Sequence, residues 1–99
     1  MTIFMTARFQ IKPEAREKVE LAIADFIDYI RANEPRTLNY ISLQDKTDPT
    51  RFVHFFAFAD DEARDKHANS EGTERFTAIL YPECVAPVEF TEYVVVATT

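Results

Sequence analysis

Apolar and polar side chains alternate along the start of the chain. Ile3, Met5, Ala7, Phe9 and Ile11 interleave with Phe4, Thr6, Arg8, Gln10 and Lys12, the period of a half-buried strand over Thr2 to Lys12. Pro13 ends that run and suits the first turn of a helix. The period then changes. From Glu14 to about Ala32, the apolar positions Val19, Ile23, Phe26, Ile27 and Ile30 recur at spacings of three and four. Glu14, Glu17, Glu20, Asp25 and Asp28 occupy the other faces, so the stretch predicts an amphipathic helix with an acidic start, as the helix dipole prefers.

Glu34-Pro35-Arg36 breaks that helix, because Pro35 disfavours helical geometry at the residue before it. Leu38 to Asp45 reads as a second strand, and Lys46 to Thr50 as a turn punctuated by Asp48-Pro49. Arg51 to Ala59 is the strongest strand, with Phe52, His54, Phe56 and Phe58 on one face and Val53, Phe55 and Ala57 on the other. Neither face is polar in the usual way, so this strand needs cover on both sides. Asp60 is a natural N-cap for a helix to about Asn69 that sets Ala63 and His67 on one face. Ser70 caps a further helix to about Tyr81 that buries Phe76, Ile79 and Leu80. Pro82 and Pro87 bracket a loop, and Val88 to Ala97 predicts a last strand with Phe90, Val94 and Val96 on one face.

The order is β-α-β-β-α-(α)-β in a single domain over residues 1–99. It predicts a ferredoxin-like α+β fold, an antiparallel sheet with its helices on one face. The other face would carry apolar residues of the third strand, a larger patch than monomers leave open. A homodimer with sheets packed face to face is therefore expected.

Composition narrows the chemistry. Eleven Lys and Arg stand against seventeen Asp and Glu, a net charge of −6, which argues against nucleic acid as a partner. One Gly, Gly72, cannot build a phosphate-cradling loop, and one Cys, Cys84, rules out a disulfide framework or a four-thiolate zinc site. His54 and His67 are thirteen apart on different elements, and Asp60, Asp61 and Glu62 fit a helix start, so no metal site is expected. No apolar run approaches the roughly 18 residues of a membrane span, and the first residues show no basic stretch followed by an apolar core. The expectation is a cytoplasmic protein without a membrane partner. Nine Phe and four Tyr are a heavy load for a core this small. They line a cavity, are hidden by a second subunit, or both.

The run from Arg51 through Asp60 to His67, followed by Ser70 and Phe76, resembles the antibiotic biosynthesis monooxygenase family. Lys12-Pro13, Glu34-Pro35, Leu38 and Tyr40 extend the resemblance over nearly the whole chain. It implies a dimeric α+β barrel, in which each sheet packs on its partner's and a pocket lies between sheet and helices. Enzymes of the family oxygenate electron-rich aromatics such as quinols and polyketide anthrones, commonly without flavin, haem or metal. No cofactor signature is found in this sequence, and none is expected. Deprotonating a phenol raises its power to donate electrons. The protein then need supply only a dry pocket, a proton partner and aromatic walls.

The resemblance marks out the site residues. His54 is the leading proton partner, standing where the best-described oxygenating members carry an amide side chain. His67 matches a histidine common in the family's second helix and is a second candidate. Tyr40, Phe56, Phe58 and Phe76 are the expected substrate-binding surface. Phe58 departs from the frequent Trp of the family and offers no indole N–H, so it can act only as wall. Arg8, Arg64 and Arg75 are the cations available to an anionic oxygen, each more simply a solvated side chain. Cys84 has no basic neighbour to activate it. The haem-degrading branch of the superfamily fits poorly, since Thr77, Ala7 and His67 stand at its ligating His, its Asn and its Trp. Two classes remain: a cofactor-independent monooxygenase acting on quinol or polyketide-like substrates, or a non-catalytic ligand-binding or interaction dimer of the same fold.

Overall fold

The computed structural model describes residues 1–99. Its elements are β1 (Ile3–Gln10), α1 (Arg16–Asn33), β2 (Thr37–Gln44), β3 (Arg51–Phe58), α2 (Asp61–Ala68), α3 (Glu71–Leu80) and β4 (Glu89–Tyr93). The four strands form one sheet in the order β2-β3-β1-β4, with every neighbouring pair antiparallel. This is the ferredoxin-like α+β arrangement that the periodicity predicts, with helices covering one face.

Strand alternation decides which side chains meet the helices. Phe9 opposite Phe52, Ala7 opposite His54 and Ile3 opposite Phe58 point to the helix side and are all buried. Phe9, Phe26, Ile30, Phe52, Phe76 and Leu80 belong to the larger apolar cluster, where the Phe26 and Phe76 rings stack at 4.5 Å. Ile3, Ala7, Phe56, Phe58 and Ala63 form a second cluster under α2. Both predicted caps are present: Asp60 Oδ1 accepts from the Ala63 N–H at 2.9 Å, and Ser70 Oγ from the Thr73 N–H at 3.1 Å. Asp60 also pairs with Arg36, which ties the start of α2 to the end of the α1–β2 connection.

Three boundaries differ from expectation. The helix expected from Glu14 begins as a 3-10 turn at Pro13–Ala15 and becomes α-helical at Arg16, because neither Lys12 nor Ala15 offers a capping side chain. The loop between Pro82 and Pro87 holds a 3-10 turn at Tyr81–Glu83, and Cys84 then bridges Ile11 beyond the end of β1. The last strand stops at Tyr93 instead of reaching Ala97, so Val94 and Val96 lie outside the sheet and exposed. The register explains this. Phe4 pairs with Tyr93, so residues past Val94 run beyond the start of β1, the only strand beside β4.

The opposite face of the sheet carries no helix. Phe4, Ile41, Leu43, Val53 and Phe55 lie there, with Ile41 44% and Leu43 51% exposed. At its β4 side, Arg8 and Thr6 hydrogen-bond the Tyr93 hydroxyl, each at 3.2 Å. No helix of the chain is long and apolar enough to cross a membrane.

Candidate active site

Between the helix face of the sheet and the three helices lies a cavity of about 310 Å³. Its lining includes all six expected site residues: Tyr40, His54, Phe56, Phe58, His67 and Phe76. They come from β2, β3, α2 and α3, and strand alternation places Tyr40 and the three β3 residues on the same side. The rings form a continuous surface. Tyr40 stacks on Phe56 at 5.1 Å, Phe58 meets Phe56 edge-on at 5.6 Å, and Phe26 meets Tyr40 edge-on at 5.4 Å.

His54 faces this cavity and the helices, not the open side of the sheet. It is 1% exposed, and both ring nitrogens are engaged: Nδ1 is 2.7 Å from the Tyr40 hydroxyl and Nε2 is 2.9 Å from the Ser42 hydroxyl. Burial with no charged partner pushes its pKa down from 6.5 to about 4, so the ring is neutral at physiological pH. Burial, chiefly, also pushes the Tyr40 phenol well above its usual range, with the Glu34 charge adding to it, so that hydroxyl keeps its proton. The result is a hydroxyl–imidazole–hydroxyl chain with no free nitrogen lone pair.

His67 is arranged differently. Its Nδ1 lies 2.8 Å from Glu34 Oε1, and its ring packs against Phe58 at 5.1 Å and Phe26 at 5.5 Å. Thr73 Oγ1 donates to the His67 carbonyl at 2.7 Å and so locks the end of α2 onto α3.

Of the three cationic candidates only Arg64 lines the cavity, and its guanidinium is held by Asp61 and Glu92, each at 2.9 Å. Arg8 lies on the open face of the sheet with Tyr93, and Arg75 pairs with Asp25 at 3.1 Å on the helical surface. The Cys84 thiol is pushed up by burial and by the Glu83 charge, which leaves it a poor nucleophile. Two residues of the site went unmarked in the sequence. Ser42 follows from alternation once its pairing with His54 is known. Glu34 sits in the Glu-Pro break, where periodicity gives no sign of burial, yet its side chain is 3% exposed.

A family model described as antibiotic biosynthesis monooxygenase matches residues 2–78. Among curated proteins there is no match. Solved structures similar to this chain include one described as an antibiotic biosynthesis monooxygenase, 25% identical with a TM-score of 0.89, covering 96% of this chain and 99% of that one. A Mycobacterium tuberculosis protein is 20% identical with a TM-score of 0.88, covering 99% of this chain and 98% of its own. A conserved protein of Methanosarcina mazei is 19% identical with a TM-score of 0.86, covering 94% and 91%. The last two likenesses speak to fold. The match over residues 2–78, on a chain with this sheet order and this cavity, shows that the protein belongs to the antibiotic biosynthesis monooxygenase family.

Proposed function

We propose that the protein is a monooxygenase that oxidises a small, electron-rich aromatic substrate of the quinol or polyketide-like class, with no cofactor of its own. One observation carries this reading: a cavity of about 310 Å³ walled by aromatic rings, with imidazole and hydroxyl groups as its polar points. That volume is at the lower end for small-molecule sites and suits one or two fused rings. Phe56, Phe58 and Phe76 hold the ring by stacking, and Tyr40 offers its hydroxyl to a substrate oxygen. His54, hydrogen-bonded to that hydroxyl, holds it in position from the buried side. In the reaction the substrate, once deprotonated, is the reductant. Its electrons pass to O₂; one oxygen atom ends as a carbonyl of the product and the other leaves as water.

A second reading, a ligand-binding dimer without catalysis, draws on the same site. His54 has no free lone pair, and Phe58 has no donor. Oxygen uptake with a panel of hydroquinones separates the two. Turnover that falls in His54→Ala supports the oxygenase with His54 in its mechanism. Undiminished turnover removes His54 from it, and binding without uptake across the panel favours the non-catalytic dimer.

The open sheet face supports a second proposal, that two copies of the chain pack through it. Phe4, Ile41, Leu43, Val53 and Phe55 make an apolar patch of the kind that monomers rarely leave uncovered. The dimer would shield the sheet from below while the helices shield it from above.

A further inference from the structure

The chemistry proposed so far makes no use of one buried carboxylate. Glu34 closes α1, and its side chain is withdrawn from solvent. Oε1 accepts a hydrogen bond from Thr37 Oγ1 at 2.8 Å and lies 2.8 Å from His67 Nδ1, while Oε2 is buried without a partner. Burial by itself would push this carboxyl up. The hydrogen bond and charge of His67, with Thr37 and Lys66, outweigh burial and hold it below the usual carboxylate range.

An ionised carboxylate has no proton to give, so Nδ1 is the donor in the contact with His67. In a neutral imidazole the lone pair then belongs to Nε2. That nitrogen makes no hydrogen bond within the protein and is not sealed from solvent, on a ring that lines the cavity between Phe26, Tyr40 and Phe58. The contrast with His54 is direct, since both nitrogens of that ring are spoken for.

We propose that Glu34 and His67 form a carboxylate–imidazole pair in which His67 Nε2 takes the proton of a phenolic or enolic ligand bound in the cavity, with Glu34 as its positioning residue. The substrate O–H bond breaks and the N–H bond forms. The electron pair stays on the substrate oxygen, and the imidazolium produced faces Glu34. The orphaned Oε2 gives the step its bias. A buried carboxylate with half of its acceptor capacity unmet gains more from a cationic neighbour than from a neutral one. The pair rests on the preceding reading for its ligand class, and not for any reaction with oxygen.

The test uses 4-nitrophenol, whose phenolate has its own long-wavelength absorption band, and 4-nitroanisole, which has no proton to lose. At a pH below the free probe's own titration, the wild type is expected to bind 4-nitrophenol with the phenolate band developed. Glu34→Gln is expected to lower the bound phenolate-to-phenol ratio by about tenfold or more, while affinity for 4-nitroanisole is unchanged. Glu34→Asp restores part of the band, and Arg75→Gln, outside the cavity, leaves it as in the wild type. If Glu34→Gln does not fold, His67→Gln decides, since a band that survives the loss of His67 overturns the pair. Binding of 4-nitrophenol by the wild type as the neutral phenol, or no binding at all, overturns it too. An intact band with no oxygen uptake from hydroquinones upholds the pair and overturns the oxygenase reading instead.

Discussion

The phenolic oxygen of Tyr40 and Nδ1 of His54 stand 2.7 Å apart across neighbouring antiparallel strands, with their rings edge to face at 5.3 Å. The register makes this possible. Ser42 is directly opposite His54, and Tyr40 is its diagonal neighbour on the same face, so one imidazole reaches two hydroxyls two positions apart on β2. A buried ring with both nitrogens satisfied is neutral and fixed in place.

Removing one of those hydroxyls exposes what the arrangement contributes. Tyr40→Phe keeps the aromatic packing but leaves a His54 nitrogen buried and unpaired. The expected loss is about 1–3 kcal/mol in urea denaturation, the usual penalty for an orphaned buried polar group. A variant as stable as the wild type would show that this hydrogen bond does not hold in solution.

The depressed pKa of His54 carries a stability signature. Unfolded, the ring takes up a proton near pH 6.5; folded, it resists until about pH 4. Stability from this group is therefore complete above pH 6.5 and declines as pH falls towards 4, by up to about 3 kcal/mol. The interval from pH 6.5 to 5 lies above the carboxylate range, which isolates the effect from Asp and Glu. Denaturation midpoints across it should fall in the wild type and flatten in His54→Gln. Equal slopes in the two proteins would contradict a neutral buried histidine.

Gly72 tests a close approach between helices. A Cβ at this position would overlap the Tyr29 ring at Cδ1, Cγ and Cε1, and Arg75 lies over the same ring at 5.7 Å. Gly72→Ala improves helix propensity by about 1 kcal/mol, but forced displacement of a packed ring costs about 1–3 kcal/mol. A net loss of thermal stability is expected. It should be smaller when the alanine is introduced into Tyr29→Ala, so the two changes are non-additive in a double-mutant cycle. Additive effects would mean that the ring moves aside freely.

The open sheet face yields a test of assembly. Phe55 lies at its centre, between Thr6 of β1 and Ile41 of β2. Phe55→Asp places a charge where the proposed dimer is dry. Sedimentation should show a dimer for the wild type and a species near 11.5 kDa for the variant, with the helical signal retained. A wild-type protein that sediments as a monomer at micromolar concentration would rule out the interface.

Much of the architecture is legible from local rules. The capping residues Asp60 and Ser70, the proline breaks at Pro13 and Pro35, and the two periods of alternation place every helix and strand. The same rules put His54 with Phe52, Phe56 and Phe58 on one face. They fail where pairing takes over: Val95 and Val96 have the composition of a strand, but the neighbouring strand ends before it can receive them.

The sequence by itself determined the elements and their order, because strand alternation and helical period are local and each residue's face follows from its neighbours. It left open which face of β3 carries the cavity and what His54 and His67 bond to. Only the tertiary structure decided that, since Glu34 and His67 meet across 33 residues of chain and Ser42 reaches His54 only through strand register. Those contacts arise from three-dimensional packing, and they separate the two histidines into a closed hydrogen-bond hub and an imidazole with one nitrogen free.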